Sequence, residues 1–355
     1  MTMLAEVVDA VIGIDTHRDT HEAEIADAAG RPLTVLQIRN DSTGFGQLLA
    51  TVAEVAPGPR IVACIEGGRS YGIGVARALT ASGLLVIECE QPSRAQRRGK
   101  GKSDPIDAHL AVLAALRLDA ARLPALRADG DREALRILLV ARQEIKVTAT
   151  AQASRLRALL LTGDDADRQA ARRSLSKTAL TTLTERELPA DAAREHVIRQ
   201  GEIGRLALAL THARQQLKHN KAQLLAIVND LAPSLTSRYG VGPVSAAQAI
   251  VSFSHPGRCR SEAAFAALGG TSPIPASSGR TIRHRLNRGG DRALNRAIHA
   301  IAVSRIRSCP RTRAYVTRRT AEGKTPREIR RCLKRYIARE LYRQLTRSMS
   351  PPVGP

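Results

Sequence analysis

Val8-Asp9-Ala10-Val11-Ile12-Gly13-Ile14-Asp15-Thr16 is an apolar, β-branched run that ends on a carboxylate. Its length and composition predict a buried strand. Outward from it, residues 21–28 alternate and residues 32–39 are again β-branched, with Asp27-Ala28-Ala29-Gly30 as the turn between them. Ser42 or Thr43 can cap a helix whose apolar positions Phe45, Leu48, Leu49, Val52 and Val55 recur at helical spacing, and Pro57-Gly58-Pro59 ends it. A fourth strand over 60–66, a helix near 71–82 stopped by Gly83, and a fifth strand over 84–90 follow. Three strands, helix, strand, helix, strand and a further helix is the element order of the ribonuclease H-like fold. In that topology the first and fourth strands are neighbours, so Asp15 and Glu66, at the ends of their strands, are expected to meet.

The further helix opens at Ser103-Asp104-Pro105-Ile106-Asp107, with Ser103 as its expected N-cap. Asp104 and Asp107 stand three apart, on one helical face. Any one of these four acids has an ordinary structural explanation, as a loop carboxylate or a helix-dipole partner. Strand-end Asp, strand-end Glu and a helical Asp-x-x-Asp, in that order, are a more specific pattern. Asp15, Glu66, Asp104 and Asp107 are therefore read as catalytic and as ligands of a hard divalent cation, Mg²⁺ or Mn²⁺, serving phosphoryl transfer. His17, Arg18 and Asp19 read as turn residues, and His109 as a helix-surface residue.

The chain has 355 residues with 43% apolar content, enough to bury more than one core. No apolar run approaches the roughly 18 residues of a membrane span, which gives the expectation of a soluble, cytoplasmic protein with no membrane partner. The five cysteines are scattered without a CxxC pair, so neither a disulfide framework nor a zinc site is indicated. Aromatic residues make up 2% and Trp is absent, which leaves little material for stacking bases. The net charge of +22 is uneven: residues 1–120 are slightly acidic, whereas residues 236–355 carry an excess of 19 positive charges. Such a density calls for a polyanion. Candidate nucleic-acid contacts are Arg94, Arg97, Arg98, Lys100 and Lys102 ahead of the Asp-x-x-Asp helix, and Arg280, Arg283, Arg285 and Arg288 near the C-terminal loop.

Residues 131–230 carry long helical patterns that fit a helical hairpin or coiled coil. Beyond them, Gly240-Val241-Gly242-Pro243 fits a helix-hairpin-helix phosphate site or an ordinary helix-helix turn equally well. Residues 268–280 are too rich in Gly, Pro and Ser to be regular, and helices follow from Asp291 to about Arg307 and over 326–345. The expected division is a ribonuclease H-like domain over 1–125, a helical linker over 126–232, a mainly helical basic domain over 233–349 and a disordered tail over 350–355.

Gly13-Ile14-Asp15-Thr16-His17-Arg18-Asp19-Thr20-His21, Ile65-Glu66-Gly67-Gly68, Lys102-Ser103-Asp104-Pro105-Ile106-Asp107-Ala108, the stretch from Gly269 to Arg280, and Asn287-Arg288-Gly289-Gly290-Asp291-Arg292 together resemble the DEDD transposases of insertion sequences, the group that includes the Piv-type DNA invertases. The resemblance spans nearly the whole chain. It implies a RuvC-like domain bearing the acidic tetrad, a coiled-coil linker and a C-terminal transposase domain with a serine nucleophile. Ser278, directly before Gly279, matches that serine, and Ser277 is the alternative because the doublet leaves the register open by one. Where the family has Lys and Asn, this chain has Arg18 and Asp291, the second of which brings an acid near the serine loop. The partners implied are double-stranded DNA, a guide non-coding RNA from the element's own end, and further copies of the chain in a dimer or tetramer.

The expected activity is Mg²⁺-dependent strand cleavage and exchange through a phosphoserine intermediate. A RuvC-like junction endonuclease attacking with water, and a non-catalytic nucleic-acid-binding protein, remain as the other two readings of the sequence.

Overall fold

The computed structural model describes residues 2–68, 70–89, 104–127, 129–187, 192–276, 284–287 and 289–349, without the side chains of Cys89, Asp104 and Pro105. Ser103, Ser277, Ser278, Arg280, Arg283, Arg288, Arg94, Arg97, Arg98, Lys100, Lys102 and the tail over 350–355 lie outside the described residues. The chain forms two compact units, Met1–Arg127 and Ala128–Pro355.

The first unit is built from β1 (Ala10–Thr16), β2 (Thr20–Asp27), β3 (Pro32–Arg39), α1 (Ser42–Val55), β4 (Ile61–Glu66), α2 (Ile73–Ala81), β5 (Leu85–Cys89) and α3 (Asp104–Leu116). Its sheet runs β3-β2-β1-β4-β5. β1, β2 and β3 pair antiparallel, while β4 and β5 join β1 in parallel. This is the ribonuclease H-like fold. Because side chains alternate along a strand, β1 feeds two cores. Ala10, Ile12 and Ile14 pack with Leu48, Val52, Val75 and Leu79 of α1 and α2, and Val11 packs with Val62, Cys64, Ala111, Val112 and Ala115 under α3. The N-cap of α1 is Asp41, not Ser42 or Thr43: its carboxylate accepts from the Gly44 N–H at 2.9 Å. Apolar periodicity locates the helix but does not choose among three adjacent capping residues.

The second unit is helical: α4 (Asp131–Leu161), α5 (Asp165–Arg172), α6 (Lys177–Thr184), α7 (Arg194–Leu231), α8 (Pro233–Thr236), α9 (Pro243–Phe253), α10 (Glu262–Leu268), the short strands β6 (Ile274–Pro275) and β7 (His284–Arg285), then α11 (Arg292–Ser308), α12 (Pro310–Ala321) and α13 (Pro326–Met349). α4 and α7 lie side by side. Their register is fixed by a polar staple in which Asn220 Nδ2 donates to the Leu138 carbonyl at 2.9 Å and Arg142 Nη1 donates to the Leu217 carbonyl at 2.9 Å. Leu135 of α4 and Leu224 and Val228 of α7 share one core with α9, α10, α11 and α13, so apolar packing is continuous across position 232. The sequence pattern does not announce α12, because an arginine-rich segment with few apolar positions shows no stripe. Pro310 opens it at a first-turn position, where the missing N–H costs nothing. No helix among the described residues is long and apolar enough to cross a membrane.

At the far end of the α4–α7 pair, Asp167 of α5 is 1% exposed and pairs with the Arg186 guanidinium, while Gln200 Nε2 donates to it at 3.2 Å. Removing one partner strands a buried charge. Arg186→Ala is therefore expected to lower unfolding stability by about 3 kcal/mol, read as a shift in the urea midpoint, and Arg186→Lys by less.

Candidate active site

Asp15 lies one residue beyond the parallel Ile14–Ile65 pair, which sets it beside Glu66 on the neighbouring strand. Strand alternation puts both on the face covered by α3, since Asp15 continues the Val11-Gly13 row and Glu66 the Val62-Cys64 row. Glu66 is 8% exposed and the Asp15 side chain 13%. The turn after Glu66 is fastened by Thr16, whose hydroxyl donates to the Glu66 carbonyl at 2.8 Å. It is completed by Gly67 at φ +70°, where a Cβ would meet Thr16 Oγ1 at 2.9 Å.

α3 approaches this corner because β1 has no side chain beneath it. A Cβ on Gly13 would stand 2.2 Å from the Ala108 carbonyl oxygen and 2.9 Å from the Val112 nitrogen. Asp107 precedes that contact by one residue and is 8% exposed, one turn from Ala111 on the helix side that meets the sheet. Asp104 begins the helix, its side chain outside the described residues. His109 is more than a surface residue: its Nδ1 meets Glu24 Oε1 at 2.7 Å, and Glu24 is 3% exposed, so the pair ties α3 to β2.

Two further side chains belong to the corner. His17, read from the sequence as a plain turn residue, has its Nε2 3.3 Å from Asp15 Oδ2. Arg18 and Asp19 pair with each other at the exposed tip of the same turn. Glu22 stands directly across from Asp15 in the antiparallel β1–β2 pair and is 9% exposed, its carboxylate accepting from Gln37 Nε2 on β3. A row of acids thus crosses the sheet from Glu66 through Asp15 to Glu22. Glu22 escapes notice in the sequence because a polar residue there fits the simple alternation of β2. Among the described residues, no three His, Cys, Asp or Glu side chains are grouped closely enough to hold a metal ion.

The second unit carries the other candidate region. β6 and β7 pair through Ile274–Arg285 and Pro275–His284, so that part of the stretch over 268–280 expected to be irregular is a short strand. Arg285 and His284 line a groove of about 740 Å³ with Lys324, Arg331 and Lys334. Of the arginines singled out near the C-terminal loop, Arg285 is the one among the described residues. The α13 cations were missed because a basic helix ordinarily reads as a solvated surface. Asp291 serves the fold, since one carboxylate oxygen caps α11 through the Ala293 and Leu294 N–H groups and the other accepts from Ser252 Oγ at 2.6 Å. Gly242 precedes α9, whose Pro243 occupies the first turn.

Residues 12–163 match a transposase family of the DEDD, IS110 type, and residues 232–317 match the transposase family IS116/IS110/IS902. The chain is also 27% identical, over 90% of both sequences, to the insertion element IS110 uncharacterized 43.6 kDa protein of Streptomyces coelicolor. Both parts of the molecule thus lead to one group, and the chain belongs to the DEDD-type insertion-sequence transposases, enzymes that recombine DNA.

Proposed function

We propose that the protein cuts and rejoins the DNA ends of its element with a divalent metal held by Asp15, Glu66, Asp104 and Asp107 and with Ser278 as nucleophile. The observation that carries the metal half is the adjacency of Asp15 and Glu66 on parallel strands, under the helix that bears Asp107. The donor set fits a hard cation: it offers carboxylate oxygens without sulfur, and Asp15, Glu66 and Asp107 are buried enough to gain from a positive charge beside them. When bound, Mg²⁺, or Mn²⁺ in its place, would polarise the scissile phosphate and offset the charge that builds on it. The protein's part is to hold these carboxylates in place, through the Thr16 tie, the Gly13 contact and the His109–Glu24 pair.

Ser278 Oγ attacks the phosphorus of one strand. An Oγ–P bond forms and a P–O bond to deoxyribose breaks. The serine proton passes to a base, and the departing deoxyribose oxygen takes up a proton. Attack by a DNA hydroxyl on the phosphoserine reverses these changes and seals the new junction, so the bond energy is conserved without ATP. Arginines that grip backbone shape suit a guide RNA paired to DNA, which would supply the sequence specificity that an aromatic-poor protein lacks. Acids and serine supplied by different copies in a dimer or tetramer would make the centre composite.

The test is to incubate protein and its co-purified RNA with element-end DNA and Mg²⁺, then look for a DNA–protein adduct that survives denaturant. Ser278→Ala should abolish the adduct while Ser277→Ala retains it. The converse moves the nucleophile by one residue, and cutting that persists without any adduct in both variants assigns the attack to water.

A further inference from the structure

The groove beside the β6–β7 ladder contains a lysine whose position is unusually well fixed. Lys334 of α13 is half-buried, and its Nζ donates to Asn295 Oδ1 of α11 at 2.6 Å. The same Asn295 amide donates to the Gly269 carbonyl at 2.6 Å, on the turn that leads into β6. The ammonium is therefore tied to the segment from which the serine-bearing stretch departs. An ammonium has three donors, and its partner here is a neutral amide that occupies one of them. Among the described residues no carboxylate lies within ion-pair distance of it.

Its neighbours sharpen the point. Arg335 and Arg339, also on the groove, share the single carboxylate of Glu262 with Arg343, so each is partly engaged there. Arg331 spends one donor on the His284 carbonyl at 3.3 Å and keeps the rest of its fork. Among the described residues that line the groove, Glu328 is the one acid. Burial pushes the Lys334 ammonium below its ordinary range. A cation held in such poorly solvated surroundings gains more from a counter-anion than one in open water.

We propose that this groove seats the phosphodiester backbone of the DNA strand that is cut, with Lys334 as the positioning residue that clamps a phosphate and Arg331 as its bidentate companion. The choice of DNA over RNA rests on the reading of Ser278 as nucleophile, because the ladder that flanks the serine stretch also forms the groove wall.

Binding of the full-length chain to a labelled random-sequence DNA duplex, and to an RNA duplex of the same sequence, is measured across a range of salt concentrations. Arg331→Gln/Lys334→Gln is expected to weaken DNA binding about tenfold and to reduce the slope of log affinity against log salt by about 2. Lys218→Gln/Lys221→Gln, which removes two exposed charges from α7, should leave the slope within error. Lys334→Arg, which keeps the charge, should retain most of it, and matched thermal melts establish that the variants fold. An unchanged DNA slope in the groove variant overturns the proposal, as does a loss confined to the RNA duplex. Ser278→Ala separates the two readings: if it still forms the adduct while the groove variant loses DNA binding, the serine assignment fails and the groove stands.

Discussion

Asp15→Asn is expected to abolish strand cutting without unfolding the protein. Loss of one carboxylate from a metal centre removes several kcal/mol of transition-state stabilisation, which corresponds to a drop of about 10²–10⁴ in rate. Stability should move the other way. Asp15 faces Glu22 across the β1–β2 pair and lies beside Glu66, and like charges placed directly opposite destabilise a sheet. In chelator, the Asn variant should melt at or above the temperature of the parent. When Mg²⁺ is added the parent should gain melting temperature and the variant should not, because an ion that binds only the folded form stabilises by mass action. A variant that melts well below the parent in chelator would mark Asp15 as a structural carboxylate, held for its contact with His17.

Gly13→Ala should be nearly as damaging, though it removes no charge and lies under the helix instead of in the acidic corner. The new Cβ would sit 2.2 Å from a backbone carbonyl oxygen, an atom that cannot swing away as the end of a side chain can. Either β1 or α3 must shift. Overpacking of this kind costs about 3 kcal/mol, and displacement of α3 moves Asp107 relative to Asp15 and Glu66. A misplacement of about 1 Å costs roughly 10²-fold in rate, so cutting should fall even where the fold survives. Trimming Val112 to Ala in the same chain should not rescue it, because the Val112 side chain supplies only one of the clashes. Urea midpoints and cutting rates of Gly13→Ala and Gly13→Ala/Val112→Ala give the comparison, and rescue by the second change would show that side-chain crowding is what Gly13 relieves.

The first unit was open to reading because its signals are local. Apolar runs closed by Gly and Pro mark the strands, and their order matches the ribonuclease H-like topology, in which β1 and β4 are neighbours, as the sheet has them. What stayed hidden depends on pairing across the sheet and on packing. Nothing near Glu22 says that it will face Asp15, and nothing near His109 reveals Glu24, which lies 85 positions away. Gly13 looks like an ordinary interruption in a strand until α3 is laid upon it. In the helical unit the signal is weaker still. α12 has too few apolar positions to show a stripe, and the basic face of α13 acquires meaning only beside β7 and Asn295. Asp291, conspicuous in sequence as an acid near the serines, is occupied in capping α11 and holding Ser252.

On this reading Asp15, Glu66 and the α3 aspartates share a metal ion. Anomalous diffraction from crystals of the protein with element-end DNA, grown in Mn²⁺, tests it directly. A manganese peak is expected at the corner of β1 and β4, bonded to carboxylate oxygens of Asp15, Glu66 and Asp107 at about 2.2 Å. Well-ordered carboxylates at that corner with no peak between them, and Asp15 still engaged with His17, would contradict it.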